Sequence, residues 1–556
     1  LGALDEVRGE FWPKRPEADQ LWVVKETACA AHTYGKRRVH MEAFTSMYHW
    51  QDGPFELKPS ADRAFCEGMN HVVWHTGAHQ PPEAGRPGWV YGAGTHLNTN
   101  LVWWSKAKPF LDYLSRCSFL LQQGHFVADV CYYYGDQGYN FVPPKHVDPS
   151  LGAGRDYDVA NAEVVVNRMS VRDGRITLPD GMQYELLVLP DREDIDIVVL
   201  RKIEELVRAG GTVVGPKPTR TGGLTDHPAR DDQVKQLADQ LWGDCDGKRV
   251  LQHRYGSGKI VWGRTLQEIL LQRRLGADFR FVSEKEDADL DFIHRRTAEA
   301  DIYFVRNKQM RSVSVDAFFR VSGKAPEFWL PDSGKVVRRP AYEQLAEAVR
   351  VPLRLPPAGS LFVVFRQPDG PHAGTTQVEK AEVPTATTLA GPWTVHFPDG
   401  LGAPNRVELT TLQSWTEHEH PGIRYFSGIA RYETEIQIPP EWLQEDRRLL
   451  LELGRLWAVG EVWLNGKPLG IVWKPPYRVE IGKAAQPGRN RLEIEIANTW
   501  SNRLVGDALL PPEDRYCRTN ITRTGTPGKA WKDVPLHESG LLGPVRLIPV
   551  VEKTVH

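Results

Sequence analysis

The chain has 556 residues, too many for one hydrophobic core, so about three to five domains are expected. Its 69 Lys and Arg nearly cancel its 71 Asp and Glu, leaving no electrostatic field to draw nucleic acid or an anionic membrane. Six scattered cysteines without a CxxC pair argue against a disulfide framework and a structural zinc site, and no apolar run approaches the roughly 18 residues of a membrane span.

In chain order, "EVRGEFW" (6–12) reads as a short strand ending in a polar-aromatic turn. "ADQLWVVKETACAAHTYG" (18–35) has helical spacing, with Gly35 as a stop. "KRRVHMEAF" (36–44) is a second strand, and a charged, helical stretch leads to "GMNHVVWHTGAHQPP" (68–82), a third strand breaking into a Gly/His/Pro loop. "WWSKAKPFLDYLSRCSFLLQQG" (103–124) closes the region as a long amphipathic helix. Alternation at this spacing is the pattern of parallel β/α architecture over residues 1–126, which a resemblance to a known barrel family makes the last three βα units of a (β/α)8 barrel.

Residues 127–282 read as a doubly wound α/β domain, with "FVADVCYYYG" and "YELLVLPD" as buried strands and "DIVVLRKIEELVRAGGTVVGP" as helix, Gly-Gly stop and strand. "YGSGKIVWGR" (255–264) is a tight turn into a strand; neither GxxxxGK[ST] nor GxGxxG supports a nucleotide site. Beyond this point helices nearly vanish. Short strands over 283–368 predict a β-sandwich, the Pro/Gly/Thr-rich 369–388 a linker, and 389–556 a jelly-roll β-sandwich with a hairpin turn at Asn465-Gly466.

Catalytic side chains of a parallel β/α barrel project from the C-terminal ends of its strands. Glu10, Glu42 and the His75–His79 cluster each fall at such an end, one per consecutive strand. A carboxylate pair suits glycoside hydrolysis, in which one group protonates the leaving oxygen and the other activates water or attacks the sugar. Trp12 follows the first strand, and His75, His79 and Gln80 are candidate hydroxyl-binding groups, with loop stitching as the competing role. Glu26, Glu56 and Glu67 read as helix or connector charges. His75-x-x-x-His79 lacks the glutamate and helix of a zinc motif. Trp463, Asn465, Trp473 and Tyr477 are either a sugar platform or core and hairpin residues, and Asn520-Ile521-Thr522 is a weak glycosylation sequon.

"GEFW" (9–12), "KETACAAHTYGKRRVHMEAFTS" (25–46) and "NHVVWHTGAHQPP" (70–82) resemble the C-terminal barrel strands of glycoside hydrolase family 106, the α-L-rhamnosidases. The resemblance continues through "GYNFVPPKHVDPS…YELLVLPD" (138–191) to "NITRTGTPGKAWKDVPLHESGLLGPVRLIPV" (520–550). "EVWLNGKPLG" and "PPYRVEI" also look like the galactose-binding-like, sugar-binding jelly roll of family 2 glycosidases. The resemblance implies an inverting, calcium-assisted hydrolase of terminal α-L-rhamnose, secreted or periplasmic. Glu42 then corresponds to the catalytic base, and Glu10 to a second active-site glutamate and possible calcium ligand. The general acid of the family lies on an earlier strand. The chain opens with Leu-Gly-Ala-Leu-Asp, without initiator Met or signal peptide, so an N-terminal segment or chain is expected to complete the barrel and supply that acid. Two other functions stay open: a non-catalytic carbohydrate-binding or scaffold fragment, and a glycosidase of another sugar, because a carboxylate pair does not name its substrate.

Overall fold

The computed structural model describes residues 2, 4–13, 21–136, 142, 145, 148–285, 287–338, 340–368, 376–381, 386–445 and 447–555. It is a mixed α/β, multi-sheet chain with many strands and few helices. The first part runs β1 (Val7–Glu10), α1 (Leu21–Thr33), β2 (Val39–Ala43), α2 (Pro54–Cys66), β3 (His71–Trp74) and α3 (Lys108–Leu121). The three strands form one parallel sheet in the order β1-β2-β3. Val39, Met41 and Ala43 are fully buried, whereas the alternate residue Glu42 is half-buried, so β2 is apolar on one face and polar on the other. Gly9 fixes which face meets the helices. A Cβ there would lie 2.6 Å from Thr27 Oγ1 and 2.8 Å from Val23 Cγ1, so α1 approaches β1 too closely for any side chain. α2 begins at Gly53, with proline in its first turn and the Glu56 carboxylate accepting from the Gly53 amide at 2.9 Å.

The next sheet has six strands in the order Gln252–Tyr255, Gly258–Val261, Thr212–Val214, Leu186–Val188, Val130–Tyr133 and Tyr157–Ala160. All its pairings are parallel except that of Gln252–Tyr255. Ile197–Arg208 crosses over within it, capped by the Asp196 side chain. Two antiparallel sheets follow around one shared core of Phe279, Phe292, Tyr303, Phe319, Val351 and Phe365. The last two sheets share a second core containing Trp393, Tyr432, Leu451 and Ile494. Their Asn465-Gly466 turn takes positive φ at both positions (53° and 75°), as a two-residue hairpin requires.

Several readings of the sequence look different in three dimensions. Part of the stretch expected to be a linker is a strand, Thr376–Ala381, antiparallel to the final strand Arg546–Val555; residues 369–375 and 382–385 lie outside the described residues. Trp473 is buried against Phe110 and Tyr113, with ring centroids 5.2 and 5.6 Å away, and Trp463 lies over Lys106. Asn465 is spent on the hairpin, its amide donating to Ala484 O and Asn490 Oδ1. These three therefore serve packing and turn formation. The Asn520 side chain makes two hydrogen bonds to the Val90 backbone, which ties the C-terminal region to the loop after β3. Glu67 is a buried acceptor for the Lys145 amide, not a solvated connector charge, and burial pushes its carboxyl up.

Candidate functional site

Glu10 and Glu42 are direct register partners on adjacent parallel strands, and Glu42 in turn pairs with Val73 of β3. Paired residues of a parallel ladder point to the same face, with Cα atoms roughly 4.8 Å apart. That face is opposite Gly9, Met41 and Ala43, and it also carries Arg8, His40 and His71 through their register. Glu10 is exposed. The Glu42 side chain is 34% exposed, and its Oε1 stands 3.8 Å from His75 Nε2. That separation exceeds a hydrogen bond, so the carboxylate keeps its lone pairs for other partners.

His75 is placed by the end of β3. Its amide donates to Ala43 O at 3.3 Å, its carbonyl accepts from Thr95 N at 2.8 Å, and its ring sits edge-on to Tyr91 at 5.5 Å. The Nδ1 atom is buried without a hydrogen-bond partner among the described residues. Beneath the strand ends, Phe11, Phe44 and Trp74 form an aromatic shell, with Phe44 5.3 Å from Phe11 and 5.0 Å from Trp74. Trp12 is half-buried just past β1. His79 is exposed on the loop after β3. Gln80 turns inward and donates to Trp89 O, which is the loop-stitching role.

The structure adds groups that the linear reading passed over. The His40 and His71 rings lie 4.4 Å apart with their planes tilted by 59°, one pleat below the glutamates, and Glu6 Oε2 is 3.4 Å from His40 Nε2. Burial pushes both imidazoles down, each reinforced by neighbouring cations. Period-2 spacing from Glu42 would have found His40; nothing local predicts its pairing with His71. Beyond β2, His49 Nδ1 and His96 Nε2 approach to 2.6 Å, and burial lowers them to about 4 and about 3, so both are neutral near pH 7.

Among the described residues, no three His, Cys, Asp or Glu side chains are grouped so as to hold a metal ion. Calcium takes six to eight oxygen ligands, and Glu10 with Glu42 beside it does not make such a set. The residues present do not fit a complete calcium site.

A strand-end carboxylate pair with a facing histidine, on the open face of a parallel sheet, is the kind of centre glycosidases use. Residues 2–344 match the family model of glycoside hydrolase family 106, described as alpha-L-rhamnosidase, and the chain belongs to that family. It is similar to the rhamnosidase structure from Novosphingobium sp. PP1Y, at 33% identity and a TM-score of 0.87, over 99% of this chain and 51% of that one. It is also similar to a protein of Formosa agariphila provisionally described as a beta-glucuronidase, at 26% identity over 99% of this chain and 66% of that protein. The chain thus spans about half to two thirds of the length of these relatives.

Proposed function

We propose that this chain is the C-terminal part of an inverting α-L-rhamnosidase that removes terminal α-L-rhamnose from glycans or glycosides. The observation that carries the reading is the in-register placement of Glu10 and Glu42, with His75 3.8 Å from Glu42, inside the family-matching segment. Glu42 is the base. It takes a proton from a water as the water oxygen bonds to the anomeric carbon, while the glycosidic C–O bond breaks and the leaving oxygen is protonated by an acid from outside this chain. His75 faces the Glu42 carboxylate across 3.8 Å, near enough for its Nε2 edge to share a water or a sugar hydroxyl with it. Glu10 is the direct register neighbour of Glu42, which suits an electrostatic or substrate-holding role beside the base.

β1 and β3 are the two edges of a three-stranded sheet whose polar face is open. Eight parallel strands close such a barrel, so residues preceding this chain, or a partner chain, pair with both edges and bring the acid. The remaining sheets then form the doubly wound domain and the two β-sandwiches. Any calcium in the complete enzyme draws most of its ligands from outside the described residues. Secretion or periplasmic location is part of the same proposal and is checked by fractionating the source cells.

In the full-length enzyme, Glu42→Gln should lower kcat/KM on an aryl α-L-rhamnoside by about a hundred- to ten-thousandfold. Wild-type turnover in that variant would sink the assignment, and NMR of the first-formed anomer decides inversion. A second reading, a glucuronide-cleaving enzyme, is favoured by the description of the Formosa relative. Turnover of aryl glucuronides but not rhamnosides would establish it.

A further inference from the structure

Where the last sheets meet the loop after β2, the surface opens into a cleft of about 390 Å³ that the reaction above does not use. Its volume lies in the range of small-ligand pockets, and Arg455, Trp457, Tyr477, His537 and Glu538 line it. The Trp457 indole stacks on the His537 imidazole, with centroids 5.1 Å apart and planes 15° apart. Its Nε1–H donates to Glu56 Oε1 at 3.3 Å, and Glu56 is itself locked to the first turn of α2 through the Gly53 amide. His537 Nε2 lies 3.3 Å from Gln51 Oε1, and the Gln51 amide donates to Thr524 Oγ1 at 2.8 Å. The aromatic pair is therefore held in place before any ligand arrives, and by the same loop and helix that follow Glu42.

The rim has a different chemistry. Arg455 Nη2 donates to Glu538 Oε2 at 2.5 Å, and both side chains are mostly exposed. The cleft thus joins flat apolar surface to donors and acceptors side by side, and its two formal charges cancel. An anion or a cation gains nothing from a cancelled pair, and a purely apolar ligand would strip water from Arg455 and Glu538 without replacing it. A neutral pyranose satisfies both halves, laying a C–H face against the aromatic pair and turning its hydroxyls to the arginine and glutamate.

We infer that this cleft is a second carbohydrate-binding site, taking a neutral pyranose unit of the glycan away from the bond that is cleaved. The choice of a glycan as ligand rests on the glycosidase reading above; the site itself rests on the cleft. The test is calorimetric titration of the 556-residue chain carrying Glu42→Gln with methyl α-L-rhamnoside and with a rhamnose-containing oligosaccharide. Saturable binding is expected, weakened roughly three- to tenfold by Trp457→Ala and by Arg455→Ala, the fold-change of a lost stacking or charged contact. Trp457→Phe should retain most of it. Because Arg455 is exposed, its variant reports on the cleft without threatening the fold, and melting curves check both. Binding that survives Arg455→Ala and Trp457→Ala but is lost in His75→Ala would place the sugar at Glu42 and overturn the second site. No binding at about ten millimolar sugar would overturn it too. Hydrolysis of an aryl rhamnoside by the full-length enzyme tests the catalytic reading separately, so either can fail alone.

Discussion

The mainly parallel six-stranded sheet and the three-stranded sheet solve the same packing problem differently. In the six-stranded sheet, Leu186, Leu187, Val213 and Ile260 are fully buried, and consecutive residues of Leu186–Val188 and Val213–Val214 are apolar. In the three-stranded sheet, VRGE and VHMEA alternate, with Met41 and Ala43 buried and Glu10 exposed. Parallel sheets are ordinarily covered on both faces, which makes the first the usual case. A parallel strand that alternates has a second face made for something other than packing, and here that face carries two glutamates and three histidines.

The contrast can be broken or sharpened by substitution. Glu42→Gln should show the largest effect on turnover, yet move the melting temperature little, because Glu42 is partly open to solvent and isosteric substitutions at such positions usually stay within about 0.5 kcal/mol. A large loss of stability would mean that the open face is structural after all. Next in size is the weld between the two sheets. Asp156 accepts from Lys25 Nζ at 2.7 Å and lies 2.9 Å from Lys145 Nζ, with all three side chains buried. Asp156→Asn strips Lys25 of its ion-pair partner and leaves Lys145 only the more distant Asp291, 3.7 Å away, and should cost about 3–5 kcal/mol, read from denaturant unfolding. Burial pushes the Asp156 carboxyl up, but the Lys145 and Lys25 ammonium groups prevail and hold it below the usual range. Its contribution is therefore fully present above the unfolded value of about 3.9 and fades as pH falls through the lower folded value. Acid unfolding followed by near-UV circular dichroism should lose part of its pH dependence in that range in the Asn variant.

Leu187→Ala, in the middle of the covered sheet, should cost about 2–5 kcal/mol, against about 1 kcal/mol or less for Val73→Ala on the open face. Equal losses in thermal melts would erase the distinction between the sheets. Smallest is Asp196→Ala, which removes a cap on the Val198 amide at 2.7 Å and should cost about 1 kcal/mol.

Much of this was legible in the chain itself. The period of two in VHMEA, the period near 3.6 in IVVLRKIEELVR and the Asn-Gly turn all state local structure, because each depends on neighbours a few residues away. The strand Thr376–Ala381 was not legible, since its partner Arg546–Val555 is remote and its composition is that of a linker. The burial of Glu67 was not legible for the same reason, as Lys145 satisfies it from far along the chain.

The sequence by itself determined where strands end, and so that Glu10, Glu42 and His75 each stand at such an end, because alternation and turn chemistry are local properties. Only the tertiary structure decided that Glu10 and Glu42 fall level with one another, that His75 faces Glu42, and that Trp457 and His537 stack above Glu56. The register of parallel strands and the meeting of distant loops are set by how α1, α2 and the C-terminal sheets bury their apolar faces together, and no short stretch of sequence records that sum.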